Sequence, residues 1–263
     1  MRRIGLLVAL VLVVAGAAWW SGRSDGLVHV IVPPIAGDAA LVVTGDRQTV
    51  LLDGGADGAA TVGWLGRELP FWERRLDLVI LTRADSMTLP GQRAVLRRYD
   101  AAVIAYMPPV KASAEFEAWR TLAAAHGGTV RVLVPGMRLH AGNVQIEVLT
   151  ADAGRATLRL RYGKTVVYAL HSATRSSLPL LREHATLRAD MLLFPWQLQP
   201  DDALAAQLQP RAVIYTNGGN DGIEQTFYER WNGTIPLFHP ATHGRLDWRS
   251  DGRAGTLRAE RQP

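Results

Sequence analysis

Thr49-Val50-Leu51-Leu52-Asp53-Gly54-Gly55 and, after twenty intervening residues, Leu76-Asp77-Leu78-Val79-Ile80-Leu81-Thr82 are the stretches that decide the fold. The first reads as a strand, Thr49–Leu52, stopped by Asp53-Gly54-Gly55. The second is a β-rich apolar run of the kind buried inside a sheet. Between them Ala59–Leu69 reads as a helix, with Asp57 available as its cap and Pro70 ending it. Upstream, Leu27–Val32 and Ala39–Val43 read as strands. Downstream the pattern predicts a helix near Gln92–Arg98, a strand at Ala101–Ala105, and a helix Ala112–Ala125 that begins after Pro108-Pro109 and closes at Gly127-Gly128. Short strands follow at Val130–Val134, Val144–Leu149, Thr157–Arg161 and Thr165–Leu170, the last two joined by a Gly163-Lys164 hairpin turn. The final third alternates: helix Leu178–Glu183, strand Met191–Phe194, helix Asp201–Gln207, strand Ala212–Tyr215, helix Ile223–Trp231, then strands Ile235–Phe238 and Arg245–Trp248. Strand-rich halves with interleaved helices predict two sheets packed face to face, helices outside, in one domain.

The whole chain has 263 residues, 48% of them hydrophobic and 20% charged, enough to bury a sizeable core. Cysteine is absent, which excludes a disulfide framework, a thiol nucleophile and every cysteine-based metal site, and leaves export open. Of the 29 basic residues only Lys111 and Lys164 are lysine, so 27 (29 − 2) are arginine. With so much Ala, Val and Gly, that excess reflects GC-rich coding rather than arginine chosen for phosphate. The formal net charge is +5, but Arg2, Arg3 and Arg23 flank the N-terminal apolar run, leaving about +2 (5 − 3) for the remainder. No protein-wide field drawing in nucleic acid follows from that.

Met1-Arg2-Arg3 is followed by an uncharged run, Ile4–Trp20, whose seventeen residues stand at the lower edge of what spans a bilayer. Ile4–Val14 fits a signal-peptide core, and Ala15-Gly16-Ala17 resembles a cleavage site. Trp19-Trp20 and then Arg23 read instead as an interfacial belt and a polar stop, which favours an uncleaved anchor. Either way Arg2 and Arg3 hold the N-terminus inside and place the bulk of the chain outside the cytoplasm. The division is therefore residues 1–23, signal anchor or signal peptide, and residues 24–263, one domain.

Leu52–Gly55 followed by the strand ending at Thr82 resembles the opening of a metallo-β-lactamase-fold domain. The finer resemblance is to the C-terminal domain of the competence protein ComEC family, the DNA-uptake channel of bacteria. Val28-His29-Val30-Ile31 with Gly37-Asp38-Ala39 matches that family's opening strand. Further matches are Val134-Pro135-Gly136, the Leu158–Lys164 hairpin, Leu187-Arg188-Ala189-Asp190, Gln209–Ile214, and His243-Gly244 followed by Ser250-Asp251-Gly252. They run in order, at similar spacing, over nearly everything after the apolar run. The resemblance implies an αββα four-layer sandwich, here preceded by one N-terminal membrane segment.

The resemblance also implies that the chemistry has changed. The family's histidine- and aspartate-rich run holds two metal ions; at those positions this chain has Arg83, Asp85, Met87 and Thr88, of which only Asp85 could ligate. The family's bridging aspartate falls at Ser172, after His171, and its histidine loop falls on Pro195-Trp196-Gln197-Leu198. A later family histidine has no counterpart around Asn220-Asp221-Gly222. A guanidinium at position 83 stays charged and repels a metal ion. Asp85 is expected to pair with Arg83 or cap a turn. His171 and Ser172, adjacent on a strand end, are expected to face opposite ways and so not to form a nucleophile and base. His239 and His243 have helical spacing, but Pro240 argues against a helix and hence against a metal pair. Asp53-Gly54-Gly55 is accounted for as a turn, and Asn217–Gly222 reads as a flexible loop in preference to a backbone anion nest. Trp196 either fills space left by lost metals or stacks on a base.

These readings give a candidate ligand cleft of Asp53, Arg83, Asp85, Trp196 and Gln197, with no catalytic residue, no metal and no cofactor. The function expected is a non-catalytic binding or scaffolding domain, with single-stranded DNA or a DNA-uptake channel as partner and the membrane reached through the N-terminal helix. Two alternatives stay open: a metal-dependent hydrolase with a residual or relocated site, and a cell-surface interaction module unrelated to DNA.

Overall fold

A strand that is apolar on both faces needs cover on both, so the deciding stretches call for a layer on each side of their sheet. The computed structural model, which describes residues 24–195, 198–199, 201–216, 230–231 and 233–261, has both layers. Strands β1 (Val28–Val32), β2 (Ala39–Val43), β3 (Thr49–Asp53), β4 (Arg75–Leu81), β5 (Asp100–Tyr106) and β6 (Thr129–Val132) form one sheet with β14 (Leu246–Ser250) and β15 (Gly255–Ala259), in the order β15-β14-β1-β2-β3-β4-β5-β6. The second sheet is built from β7 (Arg138–Ala141), β8 (Val144–Asp152), β9 (Arg155–Tyr162), β10 (Thr165–Ala169), β11 (Met191–Pro195), β12 (Val213–Thr216) and β13 (Leu237–Phe238), in the order β13-β12-β11-β10-β9-β8-β7.

Side-chain alternation sorts the apolar residues into three layers of core. Val50, Leu52, Leu78 and Ile80 point between the sheets, where they meet Ile146, Leu158, Val167 and Leu193 of the second sheet. Leu51, Val79 and Leu81 point the other way, against Trp64 of helix α1 (Gly58–Glu68), Val95 of α2 (Leu89–Leu96) and Trp119 of α3 (Ala114–Ala125). On the far side Tyr168, Leu192 and Phe194 pack under Leu181 of α4 (Leu178–His184) and Leu204 of α5 (Asp202–Leu208). The layers are thus helix, sheet, sheet, helix, as expected.

Strands β3 to β6 run parallel, as do β10 to β13. Their C-terminal ends gather at one pole of the sandwich, and the loops leaving those ends make the candidate site. Asp57 caps α1, accepting from the backbone N–H of Ala59 and Ala60.

Several expectations need correction. Helix α2 starts at Leu89 rather than Gln92, because Pro90 sits in its first turn, where a missing N–H costs nothing. Pro240 likewise starts a one-turn helix, α6 (Pro240–His243), so the expectation of no helix there fails for the same reason. Strands β7 and β15 were not legible: in β7 only Leu139 and Ala141 are buried, and β15 is a half-exposed edge. The N-terminal run, Trp196, Gln197, the loop Asn217–Gly222 and most of the expected helix Ile223–Trp231 lie outside the described residues. Among the described residues no helix is long and apolar enough to cross a membrane.

Candidate functional site

The Asp53-Gly54-Gly55 turn is more than a strand stop. Helix α2 seats directly on it: Gly91 N–H donates to the Gly55 carbonyl at 3.1 Å, and a Cβ on Gly91 would lie 1.5 Å from the Gly54 oxygen. Only glycine allows that approach. Asp53 itself has φ of +54°, a left-handed conformation that costs a non-glycine residue about 1 kcal/mol or more.

The carboxylate that this turn delivers is fully buried and fully engaged. Asp53 Oδ1 accepts from Thr82 N–H at 2.7 Å, and Oδ2 accepts from the Thr82 hydroxyl at 2.6 Å and from His171 Nε2. Thr82 spends its proton on Asp53, so the Ser172 hydroxyl donates to Thr82 Oγ1, at 2.5 Å. Burial disfavours a charged imidazole, but the Asp53 hydrogen bond and charge outweigh it and raise His171 above the ordinary histidine value. His171 and Ser172 therefore do converge, on Thr82 rather than on each other. The chain leaves β10 at Ala169 and turns, so strand alternation no longer separates them. All four side chains are buried.

Beside this cluster lies a second, centred on Arg83, which is only 4% exposed. Its guanidinium pairs with buried Asp38 through Nη2, donates to the His171 carbonyl at 3.2 Å, and has Nε 3.0 Å from Asp85 Oδ2. The last is a charge contact without hydrogen-bond alignment. Desolvation pushes the Asp38 carboxyl up, with the Arg83 charge working against it. Asp85 also accepts from Met87 N–H at 2.9 Å, so both roles expected of it hold. Met87 and Thr88 act through local bonds: the Met87 carbonyl accepts from Asp38 N–H at 3.0 Å, and the Thr88 hydroxyl donates to the Arg83 carbonyl at 2.6 Å.

Above Arg83 opens a cleft of about 320 Å³ lined by Arg83, Asp85, Met87, Arg155, Thr174, Arg175 and Leu198, among others. Arg155 stands at the start of β9, bridged to Arg83 across the gap between the sheets, with its own guanidinium 3.9 Å from Asp85. Burial and the neighbouring Arg83 charge hold Arg155 below the usual arginine value. Arg175 is exposed at the rim. Of the cleft residues expected from the sequence, Arg83 and Asp85 line it and Asp53 lies buried beneath it. Trp196 and Gln197 lie outside the described residues.

Asp38, an acid between two apolar strands, and His171, at the end of another, stand out in the sequence, but nothing there ties either to its buried partners. Arg155 and Arg175 had none, because only the docking of the two sheets brings them to Arg83.

His239 and His243 do touch, the His239 backbone N–H donating to His243 Nδ1 at 2.9 Å. The His239 ring caps Ala241 N–H, and burial next to His243 lowers its pKa. This is a helix cap in an apolar setting.

No protein-family model matches the chain, and no curated protein sequence matches it. Solved structures do. The metallo-β-lactamase fold protein YhfI from Bacillus subtilis aligns over 85% of this chain and 100% of its own, with 16% identity and a TM-score of 0.60. Zinc-bound PqqB from Methylobacterium extorquens aligns over 83% and 99%, with 11% identity and a TM-score of 0.55. Igni18, a metallo hydrolase from Ignicoccus hospitalis, aligns over 83% and 98%, with 14% identity and a TM-score of 0.51. At these identities the likeness establishes the fold, which is that of the metallo-β-lactamases.

Metal ions go with that fold, and the described residues of this pole do not fit them. Among the described residues no group of three or more His, Asp or Glu side chains is placed to hold a metal. The Asp38 and Asp85 carboxylates face a buried guanidinium, which already supplies the positive charge there.

Proposed function

We propose that this chain is a non-catalytic binding domain of the metallo-β-lactamase fold, with an arginine-centred ion-pair cluster in place of metal chemistry. The observation that carries the reading is the contact set of Arg83: buried, paired to Asp38, set against Asp85 and tied to the His171 carbonyl. A cation fixed by covalent attachment cannot polarise a water molecule as a metal does, and Arg83 already donates to Asp38 and to the His171 carbonyl. What remains for a ligand is the outer rim, where Arg155 and Arg175 offer two guanidinia against the single carboxylate of Asp85. That balance suits an anion.

Among anions we favour the phosphates of single-stranded DNA, in a ComEC-related, extracytoplasmic domain held by an N-terminal anchor and serving DNA uptake. The order and spacing of the sequence motifs support that choice. The test is anisotropy of a labelled single-stranded oligonucleotide across a salt series. The two rim guanidinia, Arg175 and the Asp85-paired Arg155, predict a slope of log affinity on log salt no steeper than about −1.4, from about −0.7 per phosphate neutralised. Arg155→Ala with Arg175→Ala should flatten the slope and remove most binding. No binding at low salt, or a double variant that binds as the parent does, refutes the DNA reading.

A further inference from the structure

Phe71 and Trp72 are exposed, at 72% and 45%, and stacked edge to face with ring centroids 4.7 Å apart. They sit in the loop between α1 and β4, and no buried cluster includes them. A pair of large exposed aromatics loses free energy to water unless something covers it. Topology says what is near. Strands β1 and β3 run the same way and β3 is parallel to β4, so the start of β1 and the start of β4 share one pole, opposite the cleft. In the sheet order β1 and β4 are three strand spacings apart, about 14 Å. The chain enters β1 from Ser24, whose hydroxyl donates to the Gly45 carbonyl in the β2–β3 turn at this same pole. The described chain thus begins, at Ser24, on the pole where Phe71 and Trp72 lie. Arg74, Arg75, Arg97 and Arg98 are exposed around the starts of β4 and β5, against exposed Asp100 and half-buried Glu73.

From this geometry we infer that the Phe71–Trp72 loop is a second membrane contact: the aromatic pair enters the lipid interface and the arginine collar meets anionic headgroups. A single apolar span leaves a domain free to swivel. Adding this contact fixes the β1–β4 end against the bilayer and turns the Arg83 cleft away from it. The inference rests on the N-terminal run being a membrane anchor, and is independent of what the cleft binds.

Because the chain has no cysteine, single reporters can be placed cleanly. The full chain, reconstituted into vesicles of phosphatidylcholine and phosphatidylglycerol, carries a polarity-sensitive fluorophore at Arg74→Cys, or at Val110→Cys in the loop after β5, where the side chain is 82% exposed. Brominated lipid should quench the reporter at 74 several-fold more strongly than the one at 110. Phe71→Ser with Trp72→Ser should bring the reporter at 74 down to the level at 110. A chain that floats with vesicles while both reporters stay equally unquenched overturns the contact and leaves the anchor standing. A chain that does not float overturns the anchor, and the contact with it. Contact between reporters at 74 on two chains without lipid quenching also overturns it, in favour of self-association.

Discussion

Replacing Arg83 with methionine keeps the volume and removes the charge, and it should be among the most damaging single changes in the molecule. Asp38 would stay buried with no cation beside it, Asp85 would lose its nearer partner, and the His171 carbonyl would lose a donor. Breaking a buried pair from one side costs about 3–5 kcal/mol. The escape is protonation of Asp38, whose carboxyl burial already pushes up. The sign follows: a folded-state pKa above the unfolded value of 3.8 contributes stability at low pH that is lost as pH rises through the folded value. The deficit of Arg83→Met should therefore grow as pH rises from below 3.8 through the raised value. Urea unfolding should show a midpoint lowered by about 1–1.7 M at neutral pH, for a slope near 3 kcal/mol/M. Adding Asp38→Leu should recover more than half of the loss, since the charge that needed pairing is gone. A single variant within about 0.5 kcal/mol of the parent, or a double variant no better than the single, would show that the Arg83 cluster does not hold this pole together.

Gly91→Ala should cost more than about 4 kcal/mol or prevent folding, because α2 cannot withdraw from the Gly54 carbonyl without opening the core; thermal unfolding reads this directly. His171→Ala strands buried Asp53 and should cost about 3–5 kcal/mol, and with Asp53→Asn less than the sum of the two. His29 lies between Asp25 and Asp247, and its hydrogen bond to Asp247 raises its pKa above 6.5. Its stabilisation is thus present below pH 6.5 and lost as pH climbs through the raised value, so His29→Gln should flatten the stability–pH curve on that side; an unchanged curve rejects the pairing. A chain starting at residue 24 should fold, because the core begins at Val28; recovery only as aggregate would place the boundary wrongly.

The layered fold was legible because burial on both faces leaves a mark in sequence: Leu51-Leu52 and Leu78–Leu81 have no polar alternation to hide them. Edge strands leave little, so β7 and β15 escaped notice. The site was half legible. Position 83 announced itself as an arginine where the resembling family has a metal ligand, and Asp85 as its partner. Asp53 was underread, since a turn explains its two glycines but not a carboxylate with Thr82 and His171 around it. Arg155 could not be read at all: it is 72 residues from Arg83 and is brought there by a bridge between sheets.

The Arg83 guanidinium, set against Asp38 and Asp85, is proposed to stand in place of metal ions. Purified protein, dialysed against zinc and manganese and then against metal-free buffer, can be assayed by elemental analysis. Far less than one equivalent of either metal per chain is expected, unchanged in Arg83→Met. Two tightly held equivalents in the parent protein, the complement of a two-metal hydrolase, would contradict it.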